Sequence, residues 1–149
     1  SVITAAEEMT ARLKAVDPKA EVEGFLVQEM VSGTEVIIGV REDPQFGPFM
    51  VVGLGGILVE AMRDVSFRML PVSDVDAREM LDELRGKAIL DAFRGSAPRD
   101  IDALVKAICG LSEIFARHRH HLADLEVNPL IVGAEGEGVR AVDVRPVWR

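Results

Sequence analysis

The chain has 149 residues, of which 48% are apolar and 28% are charged, and its formal net charge is −8. This composition is typical of one soluble globular domain of ordinary size. The negative charge argues against a nucleic-acid partner, because binding to a phosphate backbone needs a basic surface. It is compatible with a nucleotide ligand, because Mg²⁺ neutralises phosphates and takes carboxylates as its own ligands.

The cysteine content and the hydrophobic runs indicate a compartment. The single cysteine, Cys109, excludes an intrachain disulfide and suits a reducing environment. The first residues lack the basic start and apolar centre of a secretory signal. The longest apolar run, 49–59, is too short to span a bilayer. We therefore expect a cytoplasmic protein with no membrane partner.

In chain order, the first predicted elements are one helix and a group of strands. Apolar residues at three- and four-residue spacing predict an opening helix that ends at Asp17-Pro18. Runs rich in β-branched and aromatic residues then predict strands at 25–31, 35–40, 49–54, 57–60 and 65–70.

The second half predicts two helices and a closing hairpin. Ser73 and Asp76 have the spacing of a capping box, and a longer helix is predicted to begin near Asp100. Two further strands are predicted at 125–132 and 139–144. Grouped strands, then helices, then a hairpin predict an α+β fold with a mostly antiparallel sheet flanked by helices. No linker divides the chain, so residues 1–149 are expected to form a single domain.

The closing hairpin carries the strongest polar constellation. If residues 134–137 form its turn, Asn128 lies opposite Asp143 and Glu126 lies opposite Arg145. Carboxylate and amide oxygens of this kind suit Mg²⁺, with phosphates and water completing the octahedron. The same residues would also suit the plain polar face of an edge hairpin.

Residues 126–130 with Val142-Asp143 resemble the closing motif of ATP-grasp enzymes in the succinyl-CoA synthetase superfamily. The resemblance implies that Asn128 and Asp143 hold Mg²⁺ against the phosphates of ATP or ADP. It implies that Glu126 is a supporting carboxylate, acting directly or through water.

Residues 25–31, followed by Glu35, resemble the strand and hinge that hold adenosine in the same family. The resemblance implies that Gln28, Glu29 and Met30 offer backbone groups and an apolar wall to the base. Glu35 would accept hydrogen bonds from the ribose hydroxyls. Without the resemblance, the two glutamates would be interpreted as ordinary surface charge.

Residues 41–48, 53–60 and 64–68 resemble ADP-forming acetyl-CoA synthetases. This resemblance implies that Glu60 lies near a phosphorylated histidine of a partner domain and that Arg68 lies near the phosphates. Each could instead belong to an ordinary ion pair, for example between Arg68 and Asp64.

The implied activity converts an acid, CoA and ATP into acyl-CoA, ADP and phosphate through a phosphohistidine. The implied partners are a domain that binds CoA and carries that histidine, and the N-terminal ATP-grasp subdomain with its phosphate-binding lysines. The sequence shows neither, so we expect no turnover from residues 1–149 alone. Two alternatives remain: a regulatory or assembly ATP-grasp module, and another ATP-grasp carboxylate ligase.

Overall fold

The computed structural model of the chain describes residues 1–55, 64–92 and 97–149. These residues form two compact units, Ser1–Met30 and Val31–Arg149. No helix in the described parts of the chain is both long enough and apolar enough to cross a membrane.

The first unit begins with helix α1 (Val2–Val16). The Ser1 side chain accepts a hydrogen bond from the backbone N–H of Thr4, which satisfies one of the free donors at the helix start. The helix ends at Asp17, as predicted, where the Asp17 N–H donates to the carbonyl of Leu13 at 2.8 Å.

The predicted strand at 25–31 is wrong, because these residues form no strand. A strand needs a neighbour to pair with, and β-propensity measures how well side chains suit a half-buried sheet surface. Among the described residues, no pairing reaches this segment, and Leu26 and Met30 are 82% and 94% exposed. Despite its β-rich composition, the segment has no regular secondary structure.

The second unit contains one antiparallel sheet. Its six described strands are β1 (Thr34–Asp43), β2 (Gly47–Leu54), β3 (Val65–Met69), β4 (Leu122–Val132), β5 (Val139–Ala141) and β6 (Val144–Trp148). Their order is β3-β2-β1-β4-β5, with β6 also paired to β4, and every pairing is antiparallel. This arrangement confirms the predicted α+β fold. The predicted strand at 57–60 lies outside the described residues.

Two α-helices of the described residues accompany the sheet: α2 (Asp74–Asp82) and α3 (Ile101–His118). Their starts confirm the predicted signals. Ser73 and Asp76 form a reciprocal capping box, and Asp100 caps α3 by accepting from the N–H of Ala103 at 3.0 Å. A short 3₁₀ turn, Lys87–Ile89, follows α2.

The sheet buries one face against α2 and α3. Alternate side chains along each strand share that face, so they enter one core with the apolar stripe of α3. Its fully buried members include Val36, Ile38, Val40, Met50, Val52, Leu104, Ile108 and Phe115. The register places a different set on the opposite face, here called the outer face: Glu35, Arg41, Asp124, Glu126 and Arg145.

The closing hairpin differs in one respect from the prediction of a continuous strand at 139–144. The pairing with β4 is divided between β5 and β6, with Val142 and Asp143 between them. Opposite this break lies Pro129, which has no N–H to give to the ladder. Two bonds still bridge it: Val142 N–H donates to Pro129 O at 3.1 Å, and Asn128 N–H donates to Asp143 O at 3.0 Å.

Candidate metal and nucleotide site

The hairpin register brings the predicted metal-binding side chains together. Glu126 pairs directly with Arg145, and the Asn128 backbone bonds to that of Asp143, which confirms the predicted register. These four residues line one open cavity of about 200 Å³. It is large enough to admit a divalent cation together with several waters.

Glu126 is held between two donors. Its Oε2 accepts from Nη2 of Arg145 at 2.8 Å, and its Oε1 accepts from Nδ2 of Asn128 at 3.2 Å. The hydrogen bond from Arg145, assisted by that from Asn128, lowers the pKa of the Glu126 carboxyl. Because the Asn128 amide gives its nitrogen to Glu126, its Oδ1 is the atom left to bind a ligand.

A row of charges continues along the outer face. The Asp124 carboxylate is 89% buried and accepts from Nε of Arg41 at 3.0 Å, while Nη2 of Arg145 lies 3.6 Å from the same oxygen. Together with Glu126 and Asp143, the carboxylates outnumber the guanidinium groups. A divalent cation would outweigh this excess of negative charge and make the patch complementary to a polyphosphate.

The donor set fits Mg²⁺. This ion takes oxygen ligands, uses few protein carboxylates and leaves positions for phosphate and water. Asn128 and Asp143 supply such oxygens, whereas Glu126 already bonds to a guanidinium and so fits the role of a supporting carboxylate that orients Asn128. Across residues 1–55, 64–92 and 97–149, no three His, Cys, Asp or Glu side chains converge as a cage for a metal.

The residues predicted to hold adenosine fall on both sides of the unit boundary. Gln28, Glu29 and Met30 are exposed at the end of the first unit, and Glu35 is exposed on β1 of the second. The boundary follows Met30 directly, within the stretch predicted to be a hinge.

The chain makes one close backbone approach beside Glu35. The N–H of Gly55 donates to the Glu35 carbonyl at 2.6 Å. A Cβ at position 55 would lie 2.6 Å from the Cβ of Glu35, closer than side chains pack. Position 55 therefore requires glycine, because a side chain there would collide with Glu35.

Comparison with known proteins places the chain in a family. The profile of the ATP-grasp domain matches residues 1–147. The chain belongs to the ATP-grasp domain family. Its sheet and closing hairpin are thus those of an ATP-grasp fold, as the sequence motifs predicted.

Individual relatives of this ATP-grasp chain are ADP-forming ligases. The beta subunit of acetate–CoA ligase [ADP-forming] II from Pyrococcus furiosus is 41% identical over 144 residues, 96% of this chain and 61% of that protein. A structure of acetyl-coenzyme A synthetase 1 from Ca. Korarchaeum cryptofilum, with coenzyme A, acetyl-coenzyme A and a phosphorylated phosphohistidine segment, matches 99% of this chain and 65% of that one. Its TM-score is 0.82 at 41% identity.

A second structure of that synthetase contains coenzyme A and Mg-AMPPCP. It matches 80% of this chain and 55% of that chain, with a TM-score of 0.75 and 40% identity. The ATP-grasp chain therefore resembles a nucleotide-binding synthetase while spanning about three fifths of the length of these relatives.

Arg68 is not brought to the hairpin. It pairs across the sheet with Met50 of the buried face, whereas Glu126 lies on the outer face. Its guanidinium bonds to Glu83 at 2.6 Å and to Glu79 at 3.4 Å, both near the end of α2. These bonds raise the pKa of Arg68, with the one to Glu83 contributing most. Arg68 is thus an ion-pair residue in this structure, and its predicted contact with phosphate stays a prediction.

Asp64, the partner suggested for Arg68, has a different role. Its carboxylate is largely buried and accepts from the backbone N–H groups of Arg85 and Gly86 at 2.9 and 2.8 Å. Glu60, the other predicted catalytic residue, lies outside the described residues.

The sequence motifs did not reveal the role of Asp100 in the hairpin. One carboxylate oxygen of Asp100 caps α3, and the other accepts from the N–H groups of Gly136 and Gly138 at 3.0 and 2.9 Å. Both glycines have positive φ, at 83° and 79°, which glycine adopts without strain. Asp100 therefore connects the turn that sets the hairpin register to the start of a core helix. The residues in this contact are 36 and 38 positions apart in the sequence, so the helix-cap signal and the turn signal, each taken alone, do not predict it.

The pH dependence of folding should report this link. Hydrogen bonds from the N–H of Ala103, then from that of Gly138, lower the pKa of the Asp100 carboxyl. Such a group contributes stability above its unfolded pKa of about 4, and the contribution is lost as pH falls through the lowered folded value. Asp100→Asn should therefore be less stable than the native chain at pH 7, and the difference should shrink by pH 3. Urea unfolding curves at both pH values measure the difference in free energy of unfolding between the variant and the native chain. A difference that is the same at pH 7 and pH 3 would contradict this role of Asp100.

Proposed function

We propose that this chain supplies the Mg²⁺- and nucleotide-binding groups of an ADP-forming acyl-CoA synthetase. The reaction would join an acid to CoA and convert ATP to ADP and phosphate. The observation that carries the proposal is the cavity in which Asn128 and Asp143 offer oxygens beside the fixed carboxylate of Glu126. The synthetase structure with Mg-AMPPCP supports the same ligand class.

Each residue of the cavity has a separate task in this proposal. Asn128 and Asp143 would hold Mg²⁺, which supplies charge neutralisation to the phosphates when bound. By accepting from its Nδ2, Glu126 would hold the Asn128 amide so that the amide oxygen is free to bind the ion. The preorganised charges need little rearrangement when a nucleotide binds, which is the main contribution a protein makes to phosphoryl transfer.

The adenosine part would bind to the residues that the sequence motifs assign to it. The backbone near Gln28 and Glu29 would bond to the base, Met30 would cover its face, and Glu35 would accept from the ribose. The exposure of Met30 supports this assignment. An apolar side chain that is 94% exposed has its full surface available to cover a planar ligand.

Further domains would complete the enzyme. The similarity to a beta subunit and the partial coverage of the relatives support a partner that binds CoA and carries the phosphohistidine, together with an N-terminal ATP-grasp subdomain. Glu60 would face that histidine, as the sequence motifs imply. Arg68 would reach the phosphates, as they also imply, only if it exchanged its ion pairs with Glu79 and Glu83. We expect a cytoplasmic location, and no turnover from residues 1–149 without those domains.

Calorimetric titration of the full-length protein tests the proposal. Mg²⁺-ADP and Mg²⁺-ATP should bind, and omission of Mg²⁺ or addition of a chelator should weaken binding by more than about 10-fold. Acyl-CoA formation should depend on the same ion. Nucleotide binding that does not respond to Mg²⁺ would contradict the role of the hairpin. Absence of nucleotide binding would favour the regulatory module.

A further inference from the structure

The guanidinium of Arg145 forms one wall of the cavity. It projects from β6, is 55% exposed, and lines the same space as Asn128 and Asp143. Its Nη2 lies 2.8 Å from Glu126 and 3.6 Å from Asp124. Two carboxylates on the outer face thus fix the position of this cation beside the candidate metal ligands.

The bonds of Arg145 leave most of its donors available. A guanidinium carries five N–H donors in a planar fork, and it remains charged at any physiological pH. Among the described residues, the contacts of Arg145 with carboxylates all use Nη2. The pKa of Arg145 is raised, chiefly by its hydrogen bond to Glu126. The remaining donors belong to a fixed cation at the rim of an open cavity.

A polyphosphate in this cavity would need such a cation. Glu126, Asp143 and Asp124 place negative charge around the space, and one divalent ion cannot contact every phosphate oxygen. Arginine binds phosphate oxygens through paired, charge-assisted hydrogen bonds, and these are stronger than neutral ones. Arg41, by comparison, bonds to Asp124 through Nε and does not line the cavity.

We propose that Arg145 donates hydrogen bonds to a phosphate group of the bound nucleotide while its Nη2 remains on Glu126. This inference rests on the proposed function, because it assumes that Mg²⁺-nucleotide enters the cavity. Arg145 then connects phosphate recognition with metal ligation: the guanidinium that contacts the phosphate also orients Glu126, which in turn orients Asn128.

Variants of the full-length protein test this assignment. Arg145→Gln should weaken binding of Mg²⁺-ADP by about 10–100-fold at saturating Mg²⁺, the range expected for a lost hydrogen bond to a charged group. Adenosine, which has no phosphate, should bind equally to both proteins. Arg145→Lys keeps the charge but loses the planar fork, so its affinity for Mg²⁺-ADP should be intermediate.

Arg117→Gln is the control, because it removes an exposed guanidinium that pairs with Glu113 on α3, away from the outer face. It should change the affinity for Mg²⁺-ADP by less than about 3-fold, the effect of an exposed ion pair outside the cavity. If Arg145→Gln and Arg145→Lys both bind Mg²⁺-ADP as the native protein does, the inference is wrong and the proposed function stands.

Two other results would be equally decisive. If saturating Mg²⁺ restores native affinity to Arg145→Gln, the arginine acts only by positioning Glu126, and direct contact with phosphate is excluded. If the native protein itself does not bind Mg²⁺-ADP, the proposed function fails first.

Discussion

Asp143→Asn is expected to lower the affinity of the full-length protein for Mg²⁺-ADP by about 100-fold. Loss of residues that only support a metal ligand typically costs 10–100-fold, so loss of a charged ligand should reach the upper end of that range. Asp143 is exposed between β5 and β6, and its backbone carbonyl, not its side chain, bonds to Asn128. The fold should therefore survive the change, and calorimetry with and without Mg²⁺ measures the loss.

Asp91→Asn is a matched control, since it removes one exposed carboxylate next to the 3₁₀ turn and outside the cavity. Its affinity for Mg²⁺-ADP should equal that of the native protein. Asn128→Ala should resemble Asp143→Asn, because it removes the second ligand oxygen. Native affinity in both site variants would show that the hairpin does not hold the ion.

Phe115→Ala is expected to destabilise the sheet unit by about 3–5 kcal/mol, the usual cost of truncating a buried aromatic residue. Phe115 is fully buried in the core that α3 shares with the sheet. Its removal leaves a cavity that the sheet can close only in part. Urea unfolding, followed by hydrogen exchange of the β1 and β4 amides, measures the change in free energy of unfolding.

The neighbouring residue provides the control for this prediction. Ile114 lies on the same helix but is 50% exposed, so Ile114→Ala should change the free energy of unfolding by no more than about 0.5 kcal/mol. Equal losses for the two variants would mean that α3 does not pack against the sheet as described.

The hairpin could be predicted from sequence because its register depends on local features. Glycines at 133 and 138 mark the turn, and strand pairing then follows by counting outward to Asn128 and Asp143. Antiparallel strands joined by a short turn have few alternative registers. The helix starts at Ser73 and Asp100 were also local signals, and both helices begin where predicted.

Features that depend on distant partners could not be predicted in this way. Residues 25–31 have the composition of a strand, but strand formation depends on a neighbour that composition does not specify. Arg68 carried a family motif, yet its ion pairs with Glu79 and Glu83 depend on how α2 packs against β3. The hydrogen bond that Asp100 accepts from Gly138 likewise joins residues that only the folded chain brings together.

The position of the metal ion tests the central claim most directly. Crystals of the full-length protein grown with Mn²⁺ and ADP would reveal the ion by anomalous diffraction, since Mn²⁺ accepts the same oxygen ligands as Mg²⁺. We expect the anomalous peak about 2.1–2.2 Å from Oδ1 of Asn128 and from the Asp143 carboxylate, with Glu126 still bonded to the Asn128 amide. A peak on the phosphates but away from both side chains would contradict the assignment.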